Sequence, residues 1–235
     1  MLMATRQMEA LSSFAGLESL AWDDLDQVRE RSDTLFDALV QDDCQPLRKL
    51  LAALADTPGL PELAGRVYSM RKLVVWRSPA DAIRLRLHLF TPGYQDRPHD
   101  HRFAFATRIL SGAYVHRGYR RTALDPDASP AERAAESIRV EQEGSGYVMG
   151  PDAVHSLTAY RPTLTLMLRG PIVKRSATIV DQATGERFQL RGAADASSAQ
   201  PGDGRLEPVE LLTTVAEMSA ALPGSGRPGS RGAAS

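Results

Sequence analysis

The residues of this chain that can do chemistry gather in one window. All five histidines (His88, His99, His101, His116 and His155) fall within 68 of the 235 residues. His99 and His101 stand one residue apart in RPHDHRFAFATRILSG. On an extended backbone residues i and i+2 point to the same face. Two imidazoles so placed can converge on one metal ion at about 2.0–2.2 Å. Phe103, Phe105, Thr107 and Ile109 share that parity, so the ion would face an apolar cavity that strengthens its field. Arg102 and Arg108 take the opposite face. His155 opens a later run, GPDAVHSLTAY, behind a Gly-Pro turn, and is the expected third ligand. Three neutral imidazoles leave a divalent charge uncompensated. Such a site favours an anionic ligand and keeps open coordination positions, the condition for catalysis.

Further polar residues accompany the histidines. In RLRLHLF, Arg84, Arg86, His88 and Phe90 share one face, and Leu85, Leu87 and Leu89 share the other. If the leucines pack under helices, Arg86 and His88 look into the cavity and meet an anionic substrate or the metal's surroundings. If the leucines face inward, those residues are solvated. His116 is expected near the surface or behind the ligands rather than on the metal. Tyr147 and Tyr160 are candidate hydrogen-bond donors to bound oxygen, against the alternative of aromatic packing. Cys44, the single cysteine, is expected to be a small unreactive residue among helices.

These residues need a scaffold. Positions 17–55 carry apolar residues at helical spacing, which predicts two or three short amphipathic helices, with caps at Ser32-Asp33 and Asp42-Asp43 and Pro46 in a first turn. After Gly65 the texture changes to short β-rich runs separated by turn residues, the pattern of a sandwich or barrel. SPAERAAE, with Ser129 as cap, predicts a short helix inside that region. Gly112 is expected to close a hairpin. The reading divides the chain into a helical layer (1–65), a barrel (66–192) and an extension (193–235) with one helix and a disordered tail.

Composition narrows the function classes. Net charge is −1, so no global field draws the protein to nucleic acid or an anionic membrane. No apolar run is long enough to span a bilayer, no secretory signal is read at the N-terminus, and one cysteine excludes an internal disulfide; a cytoplasmic location is expected.

PGYQDRPHDHRFAFATRILSGAY resembles the first motif of the cupin superfamily, with Gly93, His99, His101 and Gly112 at the matching places. GSGYVMGPDAVHSL resembles the second, with His155 as ligand. The resemblance covers about half of the chain. It implies a mainly β fold, a cupin double-stranded β-helix (jelly-roll) barrel, here with an N-terminal helical layer. Most metal cupins carry a glutamate ligand where this chain has Phe105. A three-histidine barrel behind helices is similar to the cysteine dioxygenase-like enzymes. That similarity implies an Fe(II)- and O2-dependent dioxygenase acting on a small carboxylate- or thiol-bearing anion, with Arg71 in YSMRKLVV as its anchor. Mn, Ni, Co or Zn are alternative metals. The alternatives are a cupin isomerase or lyase that uses no O2, and a non-enzymatic ligand-binding cupin. A homodimer is an open possibility.

Overall fold

The computed structural model describes residues 14–191 and 204–224. The expected tail lies outside them from residue 225 onward. Within them the chain runs from a short 3-10 turn, Leu17–Ser19, into α1 (Leu25–Ala52). Asp24, not Ser32, caps α1: its side chain accepts from the Asp26 and Gln27 backbone N–H groups. Ser32 lies inside the helix, buried, with its hydroxyl donating to the Arg29 carbonyl at 3.0 Å. Asp42, Asp43 and Cys44 take positive φ and break α1 in two. Pro46 then falls in the first turn of the second half, where its missing N–H is harmless. The predicted succession of short helices is therefore present as two helical halves joined at that break.

Thirteen strands follow: β1 (Gly65–Val67), β2 (Met70–Arg77), β3 (Arg84–Phe90), β4 (Tyr94–Gln95), β5 (Phe105–Ser111), β6 (Ala113–Tyr119), β7 (Ser137–Gln142), β8 (Gly146–Met149), β9 (Val154–Ala159), β10 (Thr163–Arg169), β11 (Ala177–Val180), β12 (Arg187–Leu190) and β13 (Gly204–Arg205). A final helix, α2 (Pro208–Ala221), ends the described chain. One sheet has the order β13-β1-β2-β3-β10-β5-β8, the other β4-β9-β6-β7, and β11-β12 form a separate ribbon. All pairings are antiparallel. From β3 to β10 the chain alternates between the sheets strand by strand or in pairs: β3, β10, β5 and β8 face β4, β9, β6 and β7. That strand order is a double-stranded β-helix, the jelly roll.

Gly112 serves this alternation. It does not close a hairpin, because β5 and β6 belong to different sheets. Its φ is 84°, and a Cβ there would lie 2.3 Å from the Pro162 carbonyl oxygen, at the neighbouring crossing. Only glycine fits both conditions.

Two cores result. Leu85, Leu87 and Leu89 of β3 and Leu164, Leu166 and Leu168 of β10 pack outward against Val28, Leu35, Phe36, Leu39 and Leu47 of α1. Arg108 of β5 ties that layer down, paired with Asp33 and Asp37 of α1, its guanidinium 5.5 Å from the Phe36 ring centre. Trp22 lies flat over Gly170, where a Cβ would come within 2.2 Å of the indole. The second core lies inside the barrel and includes Met70, Phe90, Phe105, Ile109, Tyr114, Tyr147 and Met167. The segment SPAERAAE makes one capped turn, not a helix: Ser129 and Glu132 exchange side-chain-to-backbone hydrogen bonds at 2.7 and 3.3 Å. No helix among the described residues is long and apolar enough to cross a membrane.

Candidate metal centre and its cavity

His99 and His101 lie ahead of β5 and not within it. β5 begins at Phe105, after a bend at Arg102-Phe103. The preceding segment is nevertheless extended and inserted between two others. The His99 N–H donates to the His155 carbonyl at 2.9 Å, and the His155 N–H returns to the His99 carbonyl at 3.0 Å. On the other side Asp100 N–H donates to the Thr178 carbonyl, and Val180 N–H to the Pro98 carbonyl. The i, i+2 rule therefore still holds. His99 and His101 face the barrel interior, and Asp100 between them faces away.

Asp100 anchors the segment from behind. It is buried, accepts the Thr178 N–H at 2.7 Å and the Lys174 ammonium at 2.8 Å, and pairs with Arg121. A carboxylate with two cations and a backbone donor satisfies its lone pairs and fixes its rotamer.

His99, His101 and His155 offer nitrogens that lie within 4.8 Å of one another. Nε2 of His101 is 2.8 Å from Nε2 of His155. Two ligands at about 2.1 Å on one octahedral face stand roughly 3 Å apart, so this pair is already at ligand spacing. The ring nitrogens turned away from the centre are engaged. His99 Nδ1 donates to the Arg97 carbonyl at 2.8 Å, and His155 Nδ1 lies 3.0 Å from His116 Nε2. Occupied Nδ1 atoms leave the Nε2 lone pairs for a metal, the usual arrangement around a ligating histidine. Burial pushes His101 and His155 well below the ordinary imidazole range, with neighbouring His99 adding to the effect. Both are neutral at physiological pH, as ligands must be. The donor set thus fits a divalent cation.

Phe105 stands beside the triad. Its ring meets His101 edge-on, with centres 4.7 Å apart. It supplies an apolar wall and no charge.

The triad opens on a cavity of about 700 Å³. Arg86 and His88 line it, since the leucine face of β3 packs on the helices. The Arg86 guanidinium lies 5.4 Å from the Phe103 ring centre, and the His101 ring centre is 5.6 Å from the same ring. Nε of Arg86 and Nε2 of His88 are sealed from solvent with no hydrogen-bond partner. Burial, with Arg169 and Arg84 nearby, pulls Arg86 down to about 9. Burial likewise holds His88 well below the usual imidazole value, with Arg86 and Lys72 contributing. Arg84 does not join them. It turns to Asp81, donating from Nε at 2.7 Å.

Arg71 is not in the cavity. It faces outward, donating to the Thr214 hydroxyl at 3.3 Å and pairing with Glu217 of α2. Its neighbour Lys72, aligned with His88 across β2 and β3, lines the cavity instead. Tyr147 also lines it, buried, its hydroxyl 2.9 Å from that of Tyr114; burial raises both phenols, so they stay protonated. Tyr160 is 67% exposed and lies outside. Cys44 is buried in the helical layer, and burial raises its thiol, which keeps it protonated and inert. His116 is buried rather than near the surface, and stands behind His155. Asp96 was not anticipated from the sequence. It lines the cavity, accepts from Tyr94 and the Leu157 N–H, and is raised by burial.

No protein-family model and no curated protein matches this chain. Solved structures do. Its structural neighbours include cupins. An RmlC-like cupin from Shewanella frigidimarina is 11% identical, with a TM-score of 0.37 over 49% of this chain and 88% of that one. A cupin 2 conserved barrel domain protein from Rhodopseudomonas palustris is 15% identical, with a TM-score of 0.37 over 48% and 67%. KdgF from Halomonas sp. is 16% identical, with a TM-score of 0.35 over 46% and 86%.

Proposed function

We propose that this protein is a metal-dependent enzyme of the three-histidine cupin type, an Fe(II)- and O2-dependent dioxygenase of a small anionic substrate. One observation carries the reading: three imidazoles converge in a cavity that also holds an arginine whose buried Nε has no hydrogen-bond partner. A metal bound by His99, His101 and His155 would supply Lewis acidity and, if iron, redox chemistry toward O2. The protein's own groups do the rest. Three neutral ligands favour an anionic group at the metal. Arg86 offers planar donors to a carboxylate or similar anion without breaking a bond it already makes. Arg71 has no part in this role, being engaged with α2. Neutral His88 has a ring nitrogen ready to bond a substrate polar group. Tyr147, protonated, is a donor beside the cavity. Phe103, Phe105 and Met167 exclude water around the reacting groups.

The test is anaerobic loading with Fe(II), then O2 uptake with small carboxylates and thiols in turn. Stoichiometric iron, lost in His101→Ala with the fold retained, and substrate-dependent uptake are expected. Metal binding with turnover but no O2 consumption would replace the dioxygenase by an isomerase or lyase.

A further inference from the structure

Strand β7 carries an anomaly. It is the outermost strand of its sheet, and five of its six residues are exposed. The buried one is Glu141. A carboxylate turned inward from an exposed edge strand needs a partner, because burying it alone costs several kcal/mol on the order of the usual desolvation penalty. Its partners are Arg139 on its own strand, 3.4 Å away, and His116 on the adjacent strand, with Glu141 Oε1 3.5 Å from Nδ1. His116 Nε2 in turn lies 3.0 Å from Nδ1 of His155. The Tyr147 ring packs against His116 with centres 4.4 Å apart, and Arg139 closes the outer side, 3.4 Å from Glu141.

We infer that Glu141 and His116 are positioning residues for the metal centre: a carboxylate–imidazole relay that fixes the tautomer of His155. This rests on the three-histidine metal reading above. The hydrogen-bond logic is directional. With Glu141 Oε1, 3.5 Å away, as the acceptor, the His116 proton sits on Nδ1. His116 Nε2 then carries a lone pair and accepts from Nδ1–H of His155. His155 Nε2 is left with its lone pair facing His99 and His101. In the opposite tautomer of His116, Nε2–H would donate to His155 Nδ1, and the His155 proton would sit on Nε2, where a metal must bind. Arg139 also approaches His116 Nδ1, at 3.4 Å, but as a donor it favours that opposite tautomer. The buried carboxylate is what selects the ligating one. Outer partners of this kind typically shift metal affinity about 10- to 100-fold.

The experiment measures two things on Glu141→Leu, His116→Leu, His116→Gln and the natural chain. The first is Co(II) affinity, by chelator competition with the visible spectrum as readout. The second is the ring-nitrogen NMR shifts of His155 in metal-free protein, with thermal melting as the check on folding. The two leucine variants should bind Co(II) about 10- to 100-fold more weakly. His116→Gln should recover affinity, since its amide oxygen can accept from His155 Nδ1–H. His155 should be protonated at Nδ1 in the natural chain and lose that preference in Glu141→Leu. Unchanged affinity in folded leucine variants, or an Nε2–H tautomer in the natural chain, would overturn the relay and leave the metal centre standing. No Co(II) binding by the natural chain would overturn both.

Discussion

Arg86 should destabilise the folded protein, and replacing it with Met should stabilise it. Its guanidinium lines the cavity with Nε sealed and unpartnered, and burial draws it down from the usual arginine range to about 9. A unit of pKa is about 1.4 kcal/mol, so the shift sets a ceiling of about 5 kcal/mol. Cavity water and the Phe103 face return part of that, and Met fills the volume of the stem. A gain of about 2 kcal/mol follows, within the range seen when buried charges are replaced by apolar residues. For a chain of this size that raises Tm by about 4–8 °C. The sign with pH is fixed. A base with a lowered folded pKa destabilises fully below that pKa, and the penalty fades as pH rises through it toward the unfolded value. The gap between Arg86→Met and the natural chain should be flat from about pH 6 to 8 and narrow above about pH 9. Urea denaturation of metal-free protein measures it. A Met variant less stable at neutral pH, or a gap that widens toward pH 10, would refute the claim that this charge is uncompensated.

Three other perturbations follow. Asp100→Asn keeps the Thr178 contact but leaves Lys174 and Arg121 only the exposed Asp152 carboxylate; it should cost about 1–3 kcal/mol in urea denaturation and weaken metal binding. Gly170→Ala pushes a methyl into Trp22, and should lower stability by about 1–3 kcal/mol with a changed tryptophan fluorescence spectrum. Arg71→Ala removes an outer tie to α2 and touches nothing in the cavity, so Co(II) affinity should stay unchanged while the melting temperature falls slightly.

The sequence is informative where one face of a strand is unambiguous. The leucine trio of β3 can only pack on an apolar layer, so Arg86 and His88 are turned inward once the helices are recognised. The i, i+2 spacing of His99 and His101 needs only an extended backbone, and it survived the absence of a strand there. β2 is different. Past Lys72 it is apolar on both faces, and its register shifts between Val74 and Trp76, so alternation does not tell Arg71 from Lys72. In β7 the ordinary pattern is inverted. Ile138 and Val140 face solvent at 66% and 64%, and Glu141 faces the barrel. A rule that turns apolar residues inward misses the relay, because the carboxylate's partner lies on another strand, 25 residues earlier in the chain. The start of α1 obeys a similar logic: Ser32 and Asp33 are good capping types, but Asp24 has the free N–H groups ahead of it.

The backbone bridge between His99 and His155 bears on how the molecule assembles. Two ligands 56 positions apart meet only after the chain has crossed between the sheets several times and the 98–101 segment has docked between β9 and β11. Closing loops of that kind is slow, and the contacts belong to the late side of the folding barrier. A metal captured there binds a structure the transition state has not yet formed. It should therefore leave the refolding rate almost untouched and slow unfolding by nearly its whole binding energy. The ion would act as a kinetic latch on the closed barrel, and would not serve as a seed for building it.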